Sequence, residues 1–116
     1  MDSILTSIKK LLGILEDYTH FDDDLIMHIN SVFSILTQLG VGPSEGFMIT
    51  GKNETWNDFM DSSTPESIKT YVYYKVKLLF DPPLSSTVME SMNRLISELE
   101  WRLNFDAEFK IVNPNP

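Results

Sequence analysis

Few residues in this chain have types and spacing that could support chemistry, and the densest group is Asp22-Asp23-Asp24, between His20 and His28. Three adjacent carboxylates could bind a divalent cation, because hard cations prefer oxygen ligands. The run also precedes an apolar helical pattern, where carboxylates cap a helix and interact favourably with its dipole. We favour the cap, and we interpret both histidines as structural because no third histidine or cysteine exists to complete a zinc site.

Other patterns typical of catalysis are missing from the sequence. It contains no glycine-rich phosphate loop, nucleophile elbow or recognisable pair of catalytic acids. Cysteine is absent, which excludes disulfides and thiolate metal sites. We therefore expect no enzymatic activity and no cofactor, and the 116 residues suit one domain stabilised by packing.

The charge of the chain limits its partners. The net charge is -8, with nine acidic and three basic side chains in residues 1–60, and eight and six in residues 61–116. We expect no tight binding of nucleic acid, since phosphate affinity comes mainly from clustered lysine and arginine. No apolar run approaches the ~20 residues of a membrane span, and the first residues lack the pattern of a secretory signal. We expect a protein that remains where it is made.

The spacing of apolar residues predicts four amphipathic helices. In the first helix, Lys9 and Lys10 lie opposite the apolar face. The third helix must end at Asp81-Pro82-Pro83, because proline clashes with a continuing helix. Thr87 and Glu90 form a capping-box pattern that starts the fourth helix. The four helices cover residues 3–15, 22–39, 65–80 and 87–103.

Two segments are predicted to be extended. Residues 46–57 have the pattern of a β-hairpin insertion, which would lean on the helices or pair with another chain. Residues 105–116 have the pattern of an extended C-terminal tail, either disordered or added as a strand to a partner's sheet. The expected fold is mainly α: a small four-helix bundle in residues 1–104 with a short β-hairpin insertion, followed by the extended tail.

Trp101 does not fit the core of its own helix. It lies opposite Met92 on the helical wheel and shares its side with Arg94 and Glu98. Either another part of the chain covers this tryptophan, or it forms a contact between subunits, where tryptophan is enriched. Lys75 lies inside a wide apolar arc of the third helix, so we expect it to reach an edge or to pair with a carboxylate.

One face of the second helix is uncharged and suits a close neighbour as well as it suits water. It carries Asn30, Ser31, Ser34, Thr37 and Gln38.

Several stretches taken together resemble the head-tail connector, or adaptor, proteins of long-tailed double-stranded DNA bacteriophages. The resemblance covers nearly the whole chain, and its most specific part is the Leu-Leu-Phe-Asp-Pro-Pro junction with the Glu-Leu-Glu-Trp-Arg-Leu ending. The matching stretches are residues 9–14, 22–25, 40–43, 56–59, 71–83 and 98–103.

The resemblance implies a structural virion protein that forms a ring, typically of twelve copies, under the portal after DNA packaging. Such a ring extends the DNA channel toward the stopper and tail, at the virion neck, after assembly in the host bacterial cytoplasm. The implied partners are other copies of the chain, the portal and a stopper or tail-side neck protein, with DNA only passing through and no membrane. The alternative is a small soluble helical module that sequesters another protein.

The resemblance also suggests a division of surfaces. The face of Trp101, Arg94 and Glu98 and the uncharged side of the second helix would meet ring neighbours. The hairpin or the tail would meet the portal or the stopper. The candidate residues in these two segments are Phe47, Ile49 and Trp56 in the hairpin and Phe109, Ile111 and Val112 in the tail.

Overall fold

The protein is mainly helical in the part that the computed structural model describes, which is residues 3–60 and 64–112, with side chains described up to residue 107. Within these residues no strand is present, so the prediction of a mainly α fold is confirmed and the hairpin is not found. The helices are α1 (Ile4–Leu12), α2 (Asp22–Gln38), α3 (Trp56–Phe59), α4 (Glu66–Phe80) and α5 (Ser86–Val112).

The centre of the molecule is the contact between α2 and α4. Helix α1 packs against both of them, and α5 packs on α4. Burying each large apolar side chain contributes about 1.5–3 kcal/mol relative to its exposed state. The buried residues of α2 and α4 are Leu25, Ile29, Val32, Phe33 and Leu36, and Ile68, Tyr71, Val72 and Val76, which agrees with the predicted apolar faces.

The ends of α1 follow from residues at its two caps. The hydroxyl of Ser3 accepts a hydrogen bond from the Thr6 N–H at 3.2 Å, which satisfies a donor of the first turn. Gly13 ends the helix with φ of 80°, a left-handed conformation that costs glycine little. The helix is therefore shorter than predicted, and Leu15 beyond it is 74% exposed.

The break between α4 and α5 lies where the prolines predict it, but the cap of α5 is a different residue. Helix α5 begins at Ser86, and the Val88 N–H donates to the hydroxyl of Ser85 at 3.3 Å. Thr87 therefore lies inside the first turn, and its predicted role as the cap with Glu90 is wrong. Lys77 forms an ion pair with Asp81 at 2.9 Å at the end of α4.

Side chains take the place of the predicted hairpin ladder. Asn30 on α2 donates to the Ile49 carbonyl at 3.0 Å and accepts from the Ile49 N–H at 2.7 Å. The Glu54 carboxylate accepts from the N–H groups of Thr50 at 2.8 Å and Gly51 at 3.3 Å. Burial raises the pKa of Glu54, but these hydrogen bonds outweigh it and hold that pKa below its ordinary value. These side chains thus pair backbone groups of residues 49–51 that a second strand would pair in a hairpin.

The remainder of the predicted hairpin is helical. Thr55 and Asp58 form a capping box that starts α3, so Trp56 opens a short helix and does not end a strand. An isolated bridge between Ser3 and Thr55 is the single extended pairing within the described residues.

The predicted extended tail is also wrong for residues 105–112, where α5 simply continues. No proline or glycine interrupts the sequence between residue 104 and residue 112, so nothing stops the helix there. The extension packs on the end of α2: Asn104 Nδ2 donates to the Leu39 carbonyl at 3.4 Å, and Ala107 approaches Gly40. Residues 113–116 lie outside the described residues.

Candidate interaction surfaces

The acidic run is placed at the start of α2, where its three residues have different surroundings. The N-cap of α2 is Phe21 and makes no side-chain hydrogen bond, so Asp22, Asp23 and Asp24 occupy the first turn instead. The predicted cap is therefore wrong, whereas the favourable position relative to the helix dipole is retained. Asp23 and Asp24 are exposed, and Asp22 turns inward toward Lys9.

Lys9 is the partner of this inner carboxylate, and its position contradicts the helical wheel. The lysine is 2% exposed, and its Nζ lies 2.9 Å from Asp22 Oδ1. It also donates to the carbonyls of Glu16 at 2.9 Å and Tyr18 at 2.7 Å, so three oxygens surround its three donors. Asp22 Oδ1 accepts no well-aligned hydrogen bond in the described residues, and the charge of Lys9 offsets its burial. Lys9 thus fixes the loop between α1 and α2.

The two histidines lie beside aromatic rings. The ring of His20 contacts Tyr18 and Phe21, and the ring of His28 lies 6.5 Å from Phe80. Residues 3–60 and 64–112 contain no group of three or more potential metal ligands.

Glu100 on α5 joins two polar groups of α4. Tyr71 donates its hydroxyl to Glu100 Oε2 at 2.7 Å, and Lys75 Nζ lies 3.9 Å from the same oxygen, as expected for a lysine that pairs with a carboxylate. Burial, followed by the hydrogen bond and negative charge of Glu100, raises the pKa of Tyr71. These contacts hold α5 on α4.

The hairpin residues predicted to form an interface belong to the core. Trp56 is 5% exposed and donates its Nε1–H to the Ser7 hydroxyl at 3.0 Å, and Ile49 is 1% exposed. Phe47 is half-buried, with its ring 5.1 Å from that of Phe33 and 5.3 Å from that of Phe59. A partner could reach Trp56 or Ile49 only if the core opened, which does not fit their predicted role in an interface. The predicted interface role of the half-buried Phe47 stays a prediction.

Trp101 lies on an exposed stripe of α5, away from the core stripe of its own helix, as its position opposite Met92 predicted. The tryptophan is 67% exposed although its ring stacks on Phe105, with centroids 5.4 Å apart and planes at 13°. Arg102 forms an ion pair with Glu98 one turn away, and Arg94 is exposed on the same face. We refer to Arg94, Ser97, Glu98, Trp101, Arg102 and Phe105 as the α5 stripe. In the described part of the chain, no other segment buries it.

The uncharged face of α2 forms one wall of a groove of about 870 Å³. The other wall is the segment of residues 45–48, held in place by the hydrogen bonds between Asn30 and Ile49. Met27 and Met48 are 58% and 68% exposed at this site. We call this site the α2 groove; it is lined by Met27, Asn30, Ser31, Ser34, Thr37, Gln38, Glu45, Gly46, Phe47 and Met48.

Two further sets of exposed apolar residues were missed by the sequence interpretation. Leu84 is fully exposed in the turn after Pro82-Pro83, and Leu79 and Val88 beside that turn are about half exposed. We call these three residues the turn set. A second group of exposed apolar residues lies at the C-terminal end of α1 and in the loop after it, and we call it the α1 set: Leu11, Leu15 and Tyr18. The sequence did not reveal them, because periodicity indicates a helix face without showing what covers it.

The side chains of Phe109, Ile111 and Val112 lie outside the described residues, so their predicted contact with a partner stays a prediction. Their backbone is helical, which removes the extended conformation that strand addition requires. No helix in the described ranges is both long and apolar enough to cross a bilayer.

Comparison with known proteins gives one match. A protein-family model described as phage connector protein matches residues 4–110. No curated protein and no solved structure matches the chain. The match includes all five helices except the last two residues of α5 and therefore contains both the α2 groove and the α5 stripe.

Proposed function

The chain belongs to the phage connector protein family, and from that premise we propose that it is the head-tail connector in the neck of a phage particle. It assembles as a ring, of about twelve copies by analogy with similar connectors, under the portal after DNA is packaged, and it extends the channel toward the stopper and tail. The observation that carries this proposal is the family match over residues 4–110, which is nearly the entire chain.

The distribution of exposed apolar residues supports a protein with several neighbours. Monomeric proteins rarely leave large apolar patches uncovered, and such patches mark interaction sites. A ring of identical subunits uses two different lateral patches on each copy, and a connector needs further contacts above and below. Four surfaces of this kind are available: the α5 stripe, the α2 groove, the turn set and the α1 set.

The net negative charge of the chain suits the wall of a channel through which DNA passes. Exposed carboxylates repel phosphate, whereas lysine and arginine clusters would retain it. With a net charge of -8, a ring of these subunits is strongly acidic, and DNA is a passing occupant of its channel. The lasting partners are proteins: copies of this chain, the portal on one side and a stopper or tail-side neck protein on the other.

Electron microscopy of the purified chain mixed with the portal tests this function. We expect closed rings of this chain stacked coaxially on the portal. A single copy bound to a single copy of another protein, without rings, would instead support the alternative of a sequestering module. A portal lacking its tail-proximal surface serves as the control, and rings should not form on it.

A further inference from the structure

The α5 stripe has the composition of the centre of a protein interface. Tryptophan and arginine are enriched among the residues that dominate binding energy. Arg94 and Arg102 are the only two arginines of the chain, and both lie on this stripe beside the stacked rings of Trp101 and Phe105. Arg94 forms no ion pair with any described residue, and the stripe carries one excess positive charge in an acidic protein.

The α2 groove has the complementary composition. No basic residue lines it, and Glu45 at its edge is exposed and unpaired among the described residues. Asp23 is exposed one helical turn before Met27, and therefore extends the same face of α2 with a second carboxylate. Its two exposed methionines are flexible and polarizable, and methionine makes favourable contacts with aromatic rings.

The size of the groove also fits the stripe. Its volume of about 870 Å³ lies in the range of pockets that hold a drug-sized molecule, which is larger than two aromatic rings. The small side chains of Ser31 and Ser34 on its α2 wall let a neighbouring helix approach closely.

We propose that the α2 groove of one copy binds the α5 stripe of the next copy, with Trp101 and Phe105 against Met27 and Met48 and with Arg94 near the carboxylates of Asp23 or Glu45. This inference rests on the proposed function and specifies its lateral contact. The groove and the stripe share no residue, so each copy can bind one neighbour through its groove and a second neighbour through its stripe. Such a head-to-tail contact can repeat and close into a ring.

The absence of cysteine makes this contact directly testable. One copy carries Ser34→Cys in the groove, and a second copy carries Ser97→Cys on the stripe; both serines are exposed. Equal amounts of the two are oxidised together, alone and bound to the portal, and the disulfide-linked peptides are identified by mass spectrometry. The matched control replaces Ser97→Cys with Ser67→Cys, at an exposed position of α4 outside both surfaces.

We expect the Ser34–Ser97 pair of cysteines to link about tenfold more than the Ser34–Ser67 pair, because docking raises the effective concentration of the two thiols. Adding Arg94→Glu to the stripe copy should reduce the yield, and Glu45→Lys in the groove copy should restore it. Equal yields for both pairs would overturn the inference, as would a predominance of Ser97–Ser97 links, which indicate a symmetric contact.

The outcomes also separate this inference from the proposed function. Rings on the portal without groove-to-stripe links would refute the contact and leave the connector function in place. Groove-to-stripe links in a protein that never forms rings on the portal would refute the function and retain the contact between copies.

Discussion

The region from α1 to α4 and the long helix α5 differ in where their aromatic side chains lie. In the first region, the rings of Phe47, Trp56 and Phe59 lie 4.7–6.2 Å from the ring of Phe33, and even Lys9 is enclosed. In α5, Met92, Ile96 and Leu103 are buried, while Trp101 and Phe105 face outward. The aromatic core of the first region is completed within the monomer, and its exposed apolar residues lie outside that core in the α2 groove and the α1 set. In α5, by contrast, the aromatic pair itself is exposed.

The two tryptophans provide the sharpest form of this comparison, and Trp56→Ala should have the largest effect on stability. Removing a buried ring costs about 3–5 kcal/mol, since the lost transfer energy is joined by a cavity. It also leaves the Ser7 hydroxyl without its donor. Chemical denaturation measures the change, and Trp56→Phe, which keeps a ring in place, should cost clearly less. A loss below about 1 kcal/mol for Trp56→Ala would mean that this ring is not part of the core.

Lys9→Met should have the second largest effect, because it leaves Asp22 without its compensating charge. Breaking a buried ion pair costs about 3–5 kcal/mol, and the partial exposure of Asp22 reduces our expectation to about 2–3 kcal/mol. Lys10→Met, at the exposed neighbouring position, is the matched control and should change stability little.

Adding Asp22→Asn to Lys9→Met should recover part of this loss, since no unpaired charge then remains. If the double variant is no more stable than Lys9→Met alone, the loss comes from the two loop carbonyls and not from the ion pair.

Tyr71→Phe tests the attachment of α5 to α4 and should cost about 1 kcal/mol near neutral pH, the worth of one hydrogen bond. In the folded protein the pKa of Tyr71 lies above its ordinary value of 10.0, so above that pH the unfolded chain loses the proton first. The folded state then binds more protons than the unfolded state, and stability falls as pH rises.

The stability difference between the wild type and Tyr71→Phe should therefore shrink above about pH 10, as measured by denaturation at several pH values. A difference that grows with pH would contradict the raised pKa of Tyr71.

Trp101→Ala should have the smallest effect on the monomer, within about 0.5 kcal/mol, because surface substitutions rarely change stability more. It should nevertheless impair ring formation on the portal, as seen by electron microscopy. A large loss of monomer stability with normal assembly would mean that Trp101, like Trp56, belongs to the core.

Helices α2 and α4 and the break at Pro82-Pro83 could be predicted because their signals are local. Apolar residues three and four apart describe one face of one helix, and two prolines stop a helix regardless of the remaining fold. The position of Trp101 away from the core stripe of α5 was predictable for the same reason, since its angle from Met92 depends on α5 alone. Its exposure was not, because the sequence left open whether another segment covers it.

Errors arose where distant residues decide the structure. Ile49 ends a short apolar run bounded by glycines, as a strand residue would, but its backbone is paired by Asn30, which is 19 residues away. Lys9 lies opposite the apolar face of α1, yet the following loop and Asp22 enclose it. One local signal was overlooked: Thr55 and Asp58 have the spacing of a helix start and place Trp56 in a helix.

The length of α5 has a consequence for the order of events in assembly. At ~1.5 Å per residue its 27 residues extend about 40 Å, and Val88 and Trp101 are about 20 Å apart along the axis. Different molecules can therefore contact the turn after Pro82-Pro83 and the α5 stripe. Binding of a copy to its first partner and its later contact with a neighbouring copy can then be two separate steps with separate rates.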